Sequence, residues 1–296
     1  MPVLGQNQYG KAETRVVRVA RAGERHELTD LTVSVALSGD MTDAHLVGSN
    51  AAVLPTDTVK NTVYVLARER GIDSPESFAA ELARHFVDAQ PTVRGAVVDV
   101  AEHRWERLGD HSFARAGQDT RTARVTFDGR ALQVLSGLTG LTVLNTTDSE
   151  FHGFVRDAYT TLAETTDRVL ATEVTARWRH TAEEPAAVAA ADWNADHAAA
   201  RERLLAAFAG TYSYSLQQTL FAMGSAVIEQ LPGVAEIRLS LPNKHHFLVD
   251  LSPFGVANET GDGAVYHAAD RPFGLIEATV LREGAEQRIP VELTRL

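Results

Sequence analysis

An asparagine, a lysine and two histidines follow one another at Asn243-Lys244-His245-His246, where a buried strand should continue. Before them, Val234 to Leu241 alternates apolar and polar residues, and Phe247 to Leu251 resumes the alternation. Both stretches read as strands. The four polar residues are therefore expected on a strand corner, with side chains leaving the sheet toward a cleft or a partner surface. A plain turn would use Pro, Asn and Gly. An amide, an ammonium and two imidazoles can bind a polar ligand and move protons, although a polar turn with solvated histidines fits the same residues.

Further polar islands fall at element boundaries, where rigid scaffolds display binding groups: Tyr9-Gly10-Lys11, Pro55-Thr56-Asp57, Phe151 through Arg168, and Leu216-Gln217. Lys11 and Thr56 form a candidate pair, since a lysine can draw the proton from a neighbouring hydroxyl if burial lowers its pKa. A solvated lysine just before a strand is the plainer reading of Lys11. Arg168 offers a planar fork that holds a planar anion through two hydrogen bonds, or else a helical surface pair with Glu164 four residues back. Gln217 opens a helix, where its amide either caps locally or reads the edge of a heterocycle. Phe151 is a core aromatic unless a planar ring stacks on it.

The elements that must carry these groups can be read from periodicity. Thr14 to Ala20 and Leu31 to Leu37 form a long β-hairpin with one wet face. A helix starts near Thr56-Asp57 and runs through Val59, Val63 and Leu66, and a second starts at Ser74-Pro75, a cap followed by proline in the first turn. Phe78, Leu82 and Phe86 then recur as a core stripe. Strands return at Val93 to Val100 and near Ala123 to Phe127. The second half repeats the order: strands at Leu141 to Leu144 and Val169 to Trp178, helices at Ala190 to Ala209 and Ser215 to Gln230, and strands at Ala235 to Leu241 and Phe247 to Leu251. Both halves read β-β-α-α-β-β, an α+β chain of antiparallel sheets with helices on one face. The Gly-containing stretch Ser136 to Gly140 marks the expected boundary, giving domains 1–136 and 137–296. A local echo, Thr56-Asp-Thr-Val-Lys-Asn-Thr-Val-Tyr64 against Ser213-Tyr-Ser-Leu-Gln-Gln-Thr-Leu-Phe221, supports duplication. Two such sheets leave open edges, which closure across subunits into a barrel would cover.

Composition narrows the chemistry. Among 296 residues, 39 Asp and Glu against 28 Lys and Arg give a net charge of -11, which argues against nucleic-acid binding. With no cysteine, disulfides, thiolate catalysis, iron–sulfur clusters and Cys-based zinc sites are excluded. Adjacent strand residues His245 and His246 point to opposite faces and cannot share an ion, and no His-Glu-x-x-His spacing occurs, so no metal is expected. Phosphate-loop and flavin or nicotinamide fingerprints are also missing. No apolar run approaches the ~20 residues needed to span a bilayer and the N-terminus lacks an apolar signal core. The C-terminal Thr294-Arg295-Leu296 is not the small–basic–Leu peroxisomal tripeptide. A cytoplasmic, bacterial chain that does not contact membranes is the expectation.

Taken together, Tyr9-Gly-Lys11, Thr56 to Tyr64, Phe151-His-Gly-Phe-Val-Arg-Asp-Ala-Tyr-Thr-Thr-Leu162, Ser215-Leu-Gln217 and Leu241-Pro-Asn-Lys-His245 resemble, in order and approximate spacing, the urate oxidases (uricases), cofactor-free enzymes of the tunnelling-fold group. The resemblance implies two tandem tunnelling-fold domains and a homotetramer closing a barrel, with urate and dioxygen as substrates and no cofactor. It assigns Lys11 and Thr56 to a proton relay that His245 extends. Arg168 and Gln217 would grip the urate edge, with help from the backbone at Asp57 and Leu216. Phe151 would stack on the purine, and Asn243 with Thr56 would hold dioxygen or water above it. It also implies that Lys11, Thr56 and Asp57 come from one subunit and the other groups from its neighbour. Asn145, His152 and Thr166 depart from family patterns at positions outside this set. The implied products are 5-hydroxyisourate and hydrogen peroxide. The rivals are another tunnelling-fold enzyme acting on purines or pterins, and a non-catalytic purine-binding scaffold.

Overall fold

The computed structural model describes residues 1–294; the last two residues of the C-terminal tripeptide lie outside the described residues. The chain divides into two compact units. Unit 1 comprises Met1–Leu138 and Trp178–His197; unit 2 comprises Thr139–Arg177 and the chain from Ala198 onward. The mixed α+β character and the antiparallel pairing expected from the sequence are both present.

In unit 1, strand β1 (Tyr9–Ala20) pairs with β2 (Glu27–Gly39), and after a short helix α1 (Thr42–Leu46) come helices α2 (Thr56–Glu69) and α3 (Pro75–Ala89). Strand β3 (Val93–Glu102), a small hairpin of β4 (Trp105–Arg107) and β5 (Phe113–Arg115), and β6 (Thr120–Phe127) follow. The strands run antiparallel in the order β1-β2-β3-β6. Ser74 caps α3: its hydroxyl accepts the Ser77 N–H at 3.0 Å, with Pro75 in the first turn. Phe78, Leu82 and Phe86 are almost fully buried where α3 packs on β3 and β6. Each contributes roughly 2 kcal/mol of apolar burial. Helix α2 lays Val59, Val63 and Leu66 on the same core, against β1.

The chain then forms β7 (Leu132–Asn145), β8 (Leu170–His180), a short helix α4 (Pro185–Ala190), α5 (Trp193–Gly210), α6 (Leu216–Gln230), β9 (Val234–Leu248) and β10 (Tyr266–Leu281). Ser136 to Gly140 is strand within β7, not a bridge between elements. In unit 2, α6 packs on the antiparallel pair β9 and β10.

The C-terminal strands depart most from the sequence reading. No corner interrupts β9 at Asn243 to His246, and no separate strand covers Phe247 to Leu251. Strand β9 continues to Leu248, while its partner β10 lies past a Gly-rich loop. The irregularity sits in β10, where register shifts between Ala269 and Gly274, opposite His245 and Asn243. The polar run is thus carried on a continuing strand whose neighbour bulges away. Among the described residues no helix is long and apolar enough to cross a membrane.

Candidate active site

The predicted site residues fall into two sets. The first lies in unit 1, on β1 and at the start of α2. Tyr9, Lys11, Thr14 and Val16 pair with Leu37, Val35, Val33 and Leu31, and one extra residue on β1 between Lys11 and Thr14 makes a bulge. Glu13 in the bulge has φ 56°, and its N–H donates to Ser34 Oγ at 2.9 Å. Strand residues alternate faces, so without the bulge Lys11 would lie opposite Thr14 and Val16. With it, Lys11 shares the helix-covered face of Val33, Val35 and Leu37, all buried. Gly10 is needed here because a Cβ would stand 1.9 Å from the Val35 carbonyl oxygen.

Thr56 and Asp57 open α2 behind Pro55, whose side chain cannot cap. The first-turn N–H groups therefore point outward without a side-chain acceptor from the cap. The Asp57 carboxylate is held by Lys60 and by Asn61 Nδ2 at 3.1 Å. Its pKa is lowered, first by the Lys60 hydrogen bond and charge, then by Asn61, with a smaller part from the Lys11 ammonium. Lys11 thus lies within electrostatic reach of the start of α2, and the Lys60 and Asn61 contacts leave Asp57 offering its backbone more than its carboxylate.

The second set belongs to unit 2 and lines a cavity of about 460 Å³. Phe151, Arg168, Leu216, Gln217, Asn243 and His245 all border it. Asn243 and His245 alternate onto one face of β9, while Lys244 between them pairs with Glu173 at 2.7 Å. Ser215 caps α6 by accepting the Gln218 N–H at 3.2 Å, and Gln218 Oε1 accepts the Tyr214 N–H at 2.9 Å. Capping is thus done by Ser215 and Gln218, and Gln217 is free to face the cavity.

Arg168 is on no helix and does not pair with Glu164, correcting that alternative. The segment from Ser149 to Arg168 is an irregular excursion in which Glu164 faces Arg156 at 3.8 Å. Its Thr-rich residues favour turns and side-chain hydrogen bonds over helix. Arg168 donates its Nε–H to Ser149 Oγ at 3.0 Å and its backbone N–H to the Ser149 carbonyl at 2.9 Å. The guanidinium carbon stands 5.3 Å from the Phe151 ring centroid, and that ring stacks on Phe154 at 5.1 Å. Among the described residues no carboxylate pairs with Arg168. Burial lowers its pKa, and burial followed by the charge of Arg168 lowers that of His245. A half-buried guanidinium without a carboxylate partner among the described residues favours an anionic ligand.

The residue that sequence reasoning missed is Ser149. Completely buried, it forms a bridge to Ser213 just before α6, and Phe151 bridges to Thr165. The Ser149–Phe151 segment thereby ties Arg168 to the helix start that bears Gln217. Nothing in the local sequence Thr147-Asp148-Ser149 distinguishes such a serine from a turn residue.

Among the described residues no group of three or more His, Asp or Glu side chains is arranged to hold a metal ion. The family model described as Uricase matches residues 7–126 and 134–277. A uricase of Arthrobacter globiformis is 50% identical over 291 residues, covering 98% of this chain and 93% of the relative. A uricase of Dictyostelium discoideum is 36% identical over 291 residues, covering 95% of this chain and 98% of that one. The crystal structure of the Arthrobacter globiformis uricase superposes with a TM-score of 0.93 at 49% identity, covering 99% of this chain and 100% of that one. A uricase structure from Bacillus fastidious, at 20% identity, 97% and 100% coverage and a TM-score of 0.78, shares the fold.

Proposed function

The chain belongs to the uricase family, and on that premise we propose that it oxidises urate with dioxygen and water to 5-hydroxyisourate and hydrogen peroxide, without a cofactor. The observation that carries this reading is Arg168: a half-buried guanidinium with no carboxylate partner among the described residues, in a cavity bordered by an aromatic ring and two amides. Urate is a flat anion whose size and charge suit it.

In this reading Arg168 and Gln217 grip the purine edge, helped by the backbone N–H groups of Leu216 and of Asp57, and Phe151 stacks on the ring. Urate is already electron-rich, and loss of a further proton makes it reducing enough to pass an electron to dioxygen. Thr56 and Lys11 take up that proton, and His245 extends the relay. Asn243, with Thr56, holds dioxygen over the ring. Recombination of the two radicals forms a C5–peroxide; protonation expels hydrogen peroxide, and water adds at C5 to leave 5-hydroxyisourate. The atoms of urate, O2 and H2O are all accounted for in the two products.

The two residue sets are assigned to different subunits, Lys11, Thr56 and Asp57 from one chain and the cavity from its neighbour. Two tandem tunnelling-fold domains, 1–136 and 137–296, would then assemble as a homotetramer closing a barrel, in the cytoplasm. The test follows urate by its ultraviolet absorbance while measuring oxygen uptake and peroxide release. The expected result is decay with one O2 consumed and one peroxide formed per urate. Folded protein that leaves urate unchanged would overturn the proposal. Arg168→Ala should weaken urate binding by about 2–3 kcal/mol, the loss of a charged hydrogen-bonding partner, read by calorimetry.

A further inference from the structure

Lys11 and Thr56 sit on different elements, and those elements are joined by a hydrogen bond two residues upstream of each. The Leu54 N–H donates to the Tyr9 phenol oxygen at 2.9 Å. Tyr9 lies on the same face of β1 as Lys11, roughly 7 Å back along the strand. Leu54 is separated from Thr56 by Pro55 alone, whose ring fixes φ near its observed -56°. Little freedom remains between the bond and either reactive group.

The strand side of the link is equally constrained. Gly10 brings β1 closer to Val35 than any side chain would allow, and the Glu13–Ser34 hydrogen bond holds the bulge just past Lys11. Tyr9, Val53 and Leu54 all pack against the unit 1 core. Leu54 precedes the helix, so its N–H has no helical acceptor and the phenol supplies one.

We propose that Tyr9 is a positioning residue for the amine–hydroxyl couple: by accepting the Leu54 N–H, its phenol oxygen sets the separation of Lys11 from Thr56. The assignment rests on the reading of those two residues as the proton relay. Burial raises the Tyr9 pKa, so the phenol stays neutral over the working range.

Tyr9→Phe keeps the ring and removes the acceptor. Turnover, kcat, should fall roughly tenfold while KM stays within about twofold, because a displaced relay acts on the transition state and leaves the binding cavity intact. The limb of the pH–rate profile that Lys11→Ala abolishes should shift. In a Lys11→Ala background the same change should lower kcat much less than in the wild type, since the couple whose spacing Tyr9 sets has already lost its amine. Thermal melting measured in parallel reads any loss of fold separately. An unchanged kcat and pH profile in Tyr9→Phe, or an equal additional loss in the Lys11→Ala background, would overturn the proposal. Either result leaves the relay standing as long as Lys11→Ala is itself slow. Wild-type protein that ignores urate, or Lys11→Ala that turns over normally, would instead overturn the reading beneath it.

Discussion

Helices α2 and α6 carry the same apolar stripe behind differently built starts. Aligning Thr56–Tyr64 with Ser213–Phe221 sets Val59 against Leu216 and Val63 against Leu220. Carried onward, it sets Leu66 against Met223 and Ala67 against Gly224, and every one of these residues is buried. The helices nevertheless begin at different points. Helix α2 starts at Thr56 behind an uncapping Pro55, whereas α6 starts three residues later in the alignment, behind Ser215 and its side-chain cap. Packing requires the same stripe in both units. The starts present different groups: an exposed threonine and uncapped N–H groups in one, a capped turn with Gln217 bordering a cavity in the other.

The comparison can be broken most severely at the chemistry. Lys11→Ala should lower kcat by roughly 10²–10⁴-fold, the range for a lost acid–base group, and change KM far less, measured by steady-state urate decay. Equal losses in binding and turnover would remove the relay from unit 1.

A difference in acid response should come next. Unit 1 buries His180 and His197, whose pKa values burial lowers to about 4 and about 3, with Arg121 adding to the shift at His197. Both are depressed below the unfolded value near 6.5, so below that pH the unfolded chain binds protons that the folded chain refuses. Stability is therefore complete above about pH 6.5 and lost as pH falls toward 4 and then 3. By pH 5 the two together cost about 4 kcal/mol. Glu76, whose pKa burial raises despite its Arg121 and Ser136 partners, works in the opposite sense and trims that loss. Urea unfolding at pH 7 and pH 5 measures the sum, and hydrogen exchange should rise in α3 and β6 before α6 and β9. Equal stability at both pH values would contradict this buried-histidine account.

These same residues show what a sequence can carry. The α3 cap and stripe and the β1–β2 hairpin were legible, because each depends on neighbours within a few positions. The bulge that turns Lys11 toward the core was not, since it depends on Glu13 meeting Ser34 across the strand pair. Strand β10 was hidden by Asp270-Arg271-Pro272-Phe273, which resembles a turn until its opposition to β9 makes it a bulge. Continuity of β9 through Asn243 to His246 was hidden for the same reason. Arg168 was given a helical alternative because its partner, Ser149, is fixed by tertiary bridges and not by spacing.

Smaller changes sharpen the comparison of the helices. A Cβ on Gly224 would lie 2.6 Å from Val280 Cγ2, so α6 approaches β10 more closely than an alanine permits. Gly224→Ala should destabilise by about 1–3 kcal/mol through overpacking, despite its better helix propensity. A gain in the urea midpoint would show that Val280 yields. Ser215→Ala should cost about 1 kcal/mol as the cap is lost, measured in the same titration, and no change would mean that α6 begins without its help.

The central claim is that one urate is held between the Lys11–Thr56 pair of one subunit and the Arg168 cavity of another. Co-folding Lys11→Ala chains with Arg168→Ala chains tests it directly, because each variant alone should be nearly inactive. The account predicts that the mixed assembly regains about a quarter of the wild-type rate, the share of sites that draw an intact half from each parent. A mixture no more active than its parents, with heteromers shown to form, would contradict it.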